Sequence, residues 1–367
     1  MIRLHRGDEP PELAQERSRR VARLWLDWLD GHYTPEKPTP AQRGLLDDGY
    51  GGARTLLHER MGRKCAYCER VDRPSTDPID HHRPRSAAWQ GPKEQPVLAH
   101  PGYGWLAWSF DNQLTTCTEC NGWKSNDFPV GGTRMPLWSV DTSNEGADIL
   151  DPARVDPTRH IEFTWSRLRR RWVAQGITPL GQTTVRHLHL DEPSDRYDNH
   201  LTLLDDLRAD LDAARRHGEE ALRACWRRKI NVFVNRLEAG YRLLTRDWMR
   251  QELADLIQAF NLEVPTLADD TPAPPPLPLL PPEPRLAHLD RSQPTHLRLE
   301  LTIRALNPER NTREAKEAVL LAFAQAGGGA LTTLAAMVPQ ISDLVECAAA
   351  LAQAGRLECV GGMVRRP

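Results

Sequence analysis

A chain of 367 residues allows about two to three domains at roughly 150 residues each, so a single small module is excluded. With 40% hydrophobic and 27% charged residues it has the composition of an ordinary globular protein, which sets aside wholesale disorder, collagen and disulfide scaffolds. Lysine and arginine number 48 against 50 acidic residues, a net charge of −2, so any attraction to nucleic acid or anionic lipid has to come from local patches.

The opening stretch, MIRLHRGDEPPELAQERSRR, lacks the apolar core of a signal peptide, and no later run of 18 or more residues is convincingly apolar. The longest uncharged run, Ala318 to Ser342, is interrupted by Gly327-Gly328-Gly329 and Thr332-Thr333. The expectation is a cytoplasmic protein with no membrane association, in which thiols stay reduced. Seven cysteines, an odd number, then point to metal binding before disulfides.

From Glu12 to Asp30, the residues Leu13, Val21, Leu24, Trp25 and Trp28 recur at helical spacing and predict an amphipathic helix. A second helix is expected over about Ala41 to Met61. Cys65 and Cys68 then form C-A-Y-C, Cys117 and Cys120 form C-T-E-C, and 48 residues separate the pairs. Two such knuckles suit one tetrahedral Zn²⁺, and four thiolates leave it no open position, so the expected zinc is structural. Inside the long loop stand Ile79-Asp80-His81-His82-Arg83-Pro84-Arg85 and Asp111-Asn112-Gln113-Leu114, with Asn121-Gly122-Trp123-Lys124 directly after Cys120.

Downstream, Leu204, Leu207 and Leu211, then Leu222, Trp226, Ile230, Phe233 and Leu237, then Leu244, Trp248, Leu256 and Phe260, predict a bundle of three helices broken near Gly218 and Gly240. All 11 tryptophans precede residue 250, whereas ten of the 30 prolines fall between Pro265 and Pro294. The segment Thr271 to Arg285 lacks the backbone donors for helix or sheet and is expected to be a stiff polyproline spacer of roughly 40 Å. Beyond it, the alternation of Leu297, Leu299, Leu301 and Ile303 predicts a strand. Helices near Thr312 to Ala326, Leu331 to Met337 and Ile341 to Ala354, and a hairpin turning at Gly361-Gly362, complete a pattern similar to a winged helix, which either binds DNA or mediates contacts. The remaining Cys225, Cys347 and Cys359 read as small buried hydrophobes.

The order D-H, N, C-x2-C-N-x2-K, bracketed by two C-x2-C pairs from Lys64 to about Asp127, resembles the HNH endonuclease family with its ββα-metal core. That resemblance implies that His81 is the general base for water, that Asp80 and Asn121 ligate one catalytic Mg²⁺ or Mn²⁺, and that Asn112 holds His81 through a hydrogen bond. His82 stands beside His81 as the alternative base. Arg83 and Arg85 are either phosphate clamps or a solvated face, and Lys124 is a candidate phosphate contact. The stretch Gly102 to Ala107 is expected to pack the core, and Arg169 to Trp172 is either a phosphate-tracking surface or a solvated one.

A narrower likeness lies in Cys65-Ala-Tyr-Cys68-Glu69, Gly102-Tyr103-Gly104-Trp105, Leu150-Asp151-Pro152 and His160-Ile161-Glu162-Phe163. It is similar to the HNH nuclease subunit of Septu-type and retron-associated anti-phage systems, and implies DNA as substrate and an ABC/SMC-type ATPase as partner. No Walker A motif occurs here, so ATP hydrolysis would come from that partner. The proline-rich segment and C-terminal module depart from the pattern. The expected fold is α+β and mainly helical, divided into N-terminal helices (1–62), an HNH nuclease core with its four-cysteine zinc site (63–130), an extension with the helical bundle (131–264), a Pro-rich linker (265–296) and a winged-helix-like domain (297–367). The expected activity is DNA cleavage in anti-phage defence; a non-catalytic zinc-ribbon adaptor and an RNA-directed nuclease are the alternatives.

Overall fold

The computed structural model describes residues 1–29, 31–35, 39–71, 78–91, 95–192, 197–290, 292–306 and 311–367. Its first elements are α1 (Pro11–Leu29), α2 (Pro40–Leu46) and α3 (Gly51–Arg60), followed by the short strands β1 (Ile79–His81), β2 (Ala88–Gln90), β3 (Val97–His100) and β4 (Gln113–Thr115). Helix α4 (Thr118–Lys124), the strands β5 (Ile161–Ser166) and β6 (Arg171–Gly176), and helices α5 (Pro179–His187), α6 (Asp198–Arg216), α7 (Glu219–Ile230), α8 (Arg242–Glu252) and α9 (Ala254–Phe260) come next. Then follow α10 (Pro294–Leu306), α11 (Arg313–Gln325), β7 (Gly329–Ala330), α12 (Leu331–Met337), α13 (Leu344–Gln353), β8 (Glu358–Val360) and β9 (Met363–Arg365). The fold is α+β and about half helical.

These elements gather into two compact units, neither continuous in sequence: Met1–Glu9 with Tyr50–Leu277, and Pro10–Gly49 with Pro278–Pro367. In the first, three antiparallel strand pairs, β1–β4, β2–β3 and β5–β6, are set among helices. Thr178 caps α5 by accepting the Gly181 amide, and Pro179 takes the first-turn position that needs no N–H. The expected three-helix bundle is present with extra breaks. Helix α7 runs on into a π-helical turn at Asn231–Asn235, and Leu253 separates α8 from α9.

The second unit pairs α1 with α10, α11, α12, α13 and a three-stranded antiparallel sheet in the order β7-β9-β8. Asp30, the expected last residue of the first helix, lies outside the described residues. The single helix expected over 41–61 is two helices, α2 and α3, because the chain turns at Gly49 with φ +92. The strand expected at Leu297–Ile303 is instead part of α10. Leu299, Glu300, Leu301, Thr302 and Ile303 are all buried, and a helix covered nearly all round loses the one-sided pattern by which sequence distinguishes it from a strand. Cys225 is buried, while Cys347 and Cys359 are half-buried against the C-terminal core.

The proline-rich segment is not a free spacer. Its carbonyls have no ladder to join and are taken up by arginines: Arg154 donates to Pro274 O at 3.2 Å in the first unit, and Arg17 to Pro278 O at 2.6 Å in the second. The Leu277 amide donates to Asp111 at 2.6 Å, and Leu279 and Leu280 are buried.

The Trp25 indole N–H donates to Thr302 Oγ1 of α10 at 2.9 Å, inside a contact that also buries Val21, Leu24 and Leu26. A cut near Ala273 therefore strips α1 of its cover rather than releasing an independent module, and insoluble protein is the expected product. Trp25→Ala is expected to cost the second unit roughly 3–5 kcal/mol. Soluble yield and thermal unfolding of the two variants check this; a well-behaved 1–273 fragment would overturn the pairing of α1 with α10.

Candidate functional site

The four cysteines come together. Cys65 and Cys68 sit on a tight turn after α3, closed by the Glu69 amide donating to Cys65 O at 3.0 Å. Cys117 is the N-cap of α4, its Sγ accepting the Cys120 amide at 3.4 Å. The four Sγ atoms lie within 4.8 Å of one another, all buried, and Cys68 and Cys117 are 3.8 Å apart. A Zn–S distance of ~2.3 Å gives a tetrahedral S···S edge of roughly 3.8 Å, so the cluster has the dimensions of a closed four-thiolate site that could hold zinc. Burial pushes the Cys65 thiol up, and sharing of protons with its neighbours pulls Cys117 down and holds Cys120 up. A divalent cation is what would let all four ionise together.

Strand β1 pairs antiparallel with β4, Asp80 opposite Leu114 and His81 opposite Gln113, and α4 follows at once. Because strand neighbours point to opposite faces, Asp80 and His81 meet different surroundings. Asp80 accepts from Tyr67 Oη at 2.8 Å and from Lys124 Nζ at 3.2 Å, and Lys124 also donates to His81 O at 2.8 Å. Lys124 is fully buried, so the phosphate contact expected of it is corrected: its charge goes to a carboxylate inside the protein. His81 bonds through Nε2 to the Ala107 carbonyl at 2.8 Å, and its ring meets Tyr50 edge-on. A carbonyl can only accept, so Nε2 carries the proton and Nδ1 keeps a lone pair. Burial, reinforced by the charge of Arg85, lowers the pKa of His81 to about 4, which keeps the imidazole neutral at pH 7.

His82 is bound through Nε2 to Ile149 O at 3.0 Å and faces Phe128; its Nδ1 is buried with no hydrogen-bond partner among the described residues. Asn112 does not reach His81. Its side chain accepts the Arg83 amide at 2.8 Å and donates to Arg83 O at 3.0 Å, so it fixes the chain two residues past His81. Arg83 is ion-paired with Glu145 at 2.7 Å and lies over Phe128, so it is a structural cation as folded. Arg85 donates to Tyr50 Oη and covers that ring, beside His81. Asn121 is half-exposed one turn before Lys124 on the same face of α4.

Several residues that support the site are not apparent from sequence. Ala107, in the stretch expected to be core, supplies the carbonyl that orients His81, and that stretch is indeed buried. The Leu150-Asp151-Pro152 motif acts through Asp151, which binds Arg6 at 3.0 and 3.1 Å, while Arg6 Nε donates to the β4 carbonyl of Gln113 at 2.9 Å. Burial works to raise the Asp151 pKa, but the charge of Arg6 and the Ala153 amide outweigh it and hold it at about 2. The motif is visible in the sequence; its partner 145 residues away is not.

Against known proteins, no family model matches the chain, and no solved structure matches. It is 35% identical over 117 residues to the Septu protein PtuB of Bacillus mycoides (strain KBAB4), covering 30% of this chain and 38% of that protein. It is also 33% identical over 116 residues to the Septu protein PtuA of the same strain, covering 29% of this chain and 16% of that protein. The chain thus spans less than two fifths of the length of either relative, and its likeness to the Septu proteins is partial.

Cys65→Ser or Cys117→Ser is expected to lose bound zinc and unfold the region around α4, since binding to a structural site is folding free energy; elemental analysis of the unaltered protein should give about one Zn per chain. Lys124→Met should cost roughly 3–5 kcal/mol by leaving Asp80 a buried unpaired charge, with part of the loss recovered in the Asp80→Asn, Lys124→Met double variant. Urea unfolding measures both, and a neutral single variant would refute the pair's role.

Proposed function

We propose that this chain is a metal-dependent endonuclease of the HNH type that hydrolyses DNA phosphodiester bonds as an effector of anti-phage defence. The observation that carries the reading is His81, a neutral imidazole whose Nδ1 lone pair is set by the Ala107 carbonyl, on a strand pair followed by α4 and bracketed by the cysteine cluster. Its Nδ1 suits removal of a proton from the attacking water. The similarity to Septu proteins supports the defence role and a two-component assembly, for which an ABC/SMC-type ATPase is the proposed partner.

Asp80 and Asn121 would hold the catalytic Mg²⁺ or Mn²⁺. Each Asp80 oxygen uses one lone pair, on Tyr67 or Lys124, and has a second to offer. One carboxylate and one amide oxygen suit a hard ion that keeps most of its waters. When bound, such an ion supplies positive charge to the developing phosphorane and leaving oxyanion. The chain's own contribution is to keep His81 neutral and oriented and to fix the following turn through Asn112, with Arg85 next to the base as the cation best placed for a phosphate.

One observation favours a second reading, a non-catalytic adaptor: Lys124 already neutralises Asp80. In the C-terminal segment, the order α11, β7, α12, α13, β8, β9 with sheet order β7-β9-β8 supports a winged-helix-like module. Helix α13, LVECAAALAQ, carries no basic residue, which favours protein contact over base reading.

The deciding experiment is a pair of variants. His81→Ala should abolish cleavage in Mg²⁺ or Mn²⁺ with zinc content and DNA affinity kept, while His82→Ala retains cleavage. A dead His82→Ala with an active His81→Ala would move the base by one residue, and absence of cleavage in the unaltered protein together with its Septu partner would favour the adaptor.

A further inference from the structure

The β5–β6 hairpin has no part in the proposed cleavage chemistry. Its root belongs to the core of the first unit: Ile161, Phe163, Trp172 and Ala174 are buried, and the Phe163 amide donates to Asp247 at 2.8 Å. Its tip is unlike its root. The turn Arg167-Leu168-Arg169-Arg170 between Ser166 and Arg171 is exposed throughout, and Leu168 is 94% accessible. Six consecutive residues, 166–171, hold four arginines and no carboxylate. Arg169 pairs with Asp191 at 3.2 Å, but among the described residues Arg167 and Arg170 have no acidic partner.

Stability alone does not account for this turn. A left-handed position is ordinarily given to Gly, Asn or Asp, yet Arg170 occupies it at φ +51, at a cost of roughly 1–2 kcal/mol. Neighbouring unneutralised guanidiniums repel, and an exposed leucine contributes nothing to a core. Behind the tip, a cleft of about 990 Å³ runs along β6 and α5, of mixed charge: Arg169, the exposed Arg186, His187 and His189 line it together with Asp148, Asp191 and Glu192. The ring of His189, at the edge of the cleft, contacts Trp123 of α4 at 3.7 Å between ring centroids.

We propose that the β5–β6 hairpin is an arm that grips duplex DNA, with Arg167, Arg170 and Arg171 on backbone phosphates and Leu168 entering a groove against the base steps. An apolar tip flanked by arginines is the chemistry of groove insertion. A single strand would instead call for an aromatic stacking platform at the tip, whereas residues 166–171 hold no aromatic and the exposed Trp165 sits within β5 with its ring against Trp172. The purpose assigned to the arm rests on the nuclease reading; its binding does not.

The test is binding of a labelled 30-base-pair duplex by the full-length protein, without added Mg²⁺ or Mn²⁺, over a range of salt concentrations. Arg167→Ala/Arg170→Ala is expected to weaken binding about tenfold at moderate salt and to lower the salt slope by roughly 0.9 for each phosphate that is no longer neutralised. Leu168→Ala should weaken binding a few-fold with the slope unchanged, since an apolar side chain releases no counterions. Zinc content and near-ultraviolet circular dichroism equal to those of the unaltered protein verify folding. Unchanged affinity and slope in the double variant would overturn the proposal, as would an equal loss on single-stranded DNA or RNA. Cleavage of the same duplex by the unaltered protein with Mg²⁺ or Mn²⁺ is scored separately: binding that needs the hairpin without any cleavage sinks the nuclease reading alone, and cleavage with binding that ignores the hairpin sinks the arm alone.

Discussion

Helix α4 is seven residues long, and the candidate site depends on its being pinned at both ends. So short a helix has no stability of its own, because nucleation costs more than its few hydrogen bonds return. Its first turn is fixed by Cys117 and Cys120 in the thiol cluster, and its last by Lys124, whose ammonium bridges the Asp80 carboxylate and the His81 carbonyl of β1. The strand that bears the acidic residue and the proposed base is therefore tied to the helix that bears Asn121 by one buried cation. A buried ion pair of this kind is a weak source of net stability, yet removing one partner leaves an uncompensated charge. Such a pair serves geometry: it allows one relative placement of strand and helix.

The two adjacent histidines illustrate how main-chain carbonyls prepare side chains for chemistry. Both are buried, both are lowered to about 4 with burial the leading cause, and both donate from Nε2 to a carbonyl. Their surroundings separate them. His81 lies with Tyr50 and Arg85, a hydroxyl and a cation, whereas His82 lies against Phe128 with its second nitrogen sealed and, among the described residues, unpartnered. His81 is the last residue of β1 and His82 the first beyond it, so the chain leaves the strand between the two rings and gives each its own surroundings.

What was legible in the sequence was local. The cysteine knuckles announce themselves by spacing, and the Asp80-His81 pair by position between them, because residues a few places apart on a turn or strand end have a predictable geometry. Partners chosen across long separations were not legible. Asn112 is expected on the His81 ring and is found on the Arg83 main chain; Arg83, read as a phosphate clamp or part of a solvated face, is held by Glu145, and Lys124, a candidate phosphate contact, by Asp80. Each of these side chains has several acceptors within reach, and only the packed chain selects one. The same holds for α10, whose burial on several sides erased the periodicity that would have named it a helix.

The chain's preference for arginine follows from how its irregular segments are held. Only six of 48 basic residues are lysines. Segments 1–9 and 265–281 lie outside helices and sheets, so their carbonyls lack ladder donors, and guanidiniums supply them: Arg60 donates to the carbonyls of Arg6 and Asp8, Arg154 to Pro274, Arg17 to Pro278 and Arg246 to Thr266. A planar fork with five donors can serve two acceptors while keeping its charge near solvent or a carboxylate, which a compact ammonium cannot do as well. Lysine is used where a point charge has to be enclosed, at Lys64 beside Glu69 and at Lys124 beside Asp80, both fully buried. Against that background, the arginines at the β5–β6 turn stand apart, because Arg167 and Arg170 serve neither an acceptor nor a carboxylate among the described residues. Where the rest of the molecule uses its guanidiniums to hold the chain, these two are left facing outward, which is where a polyanion would meet them.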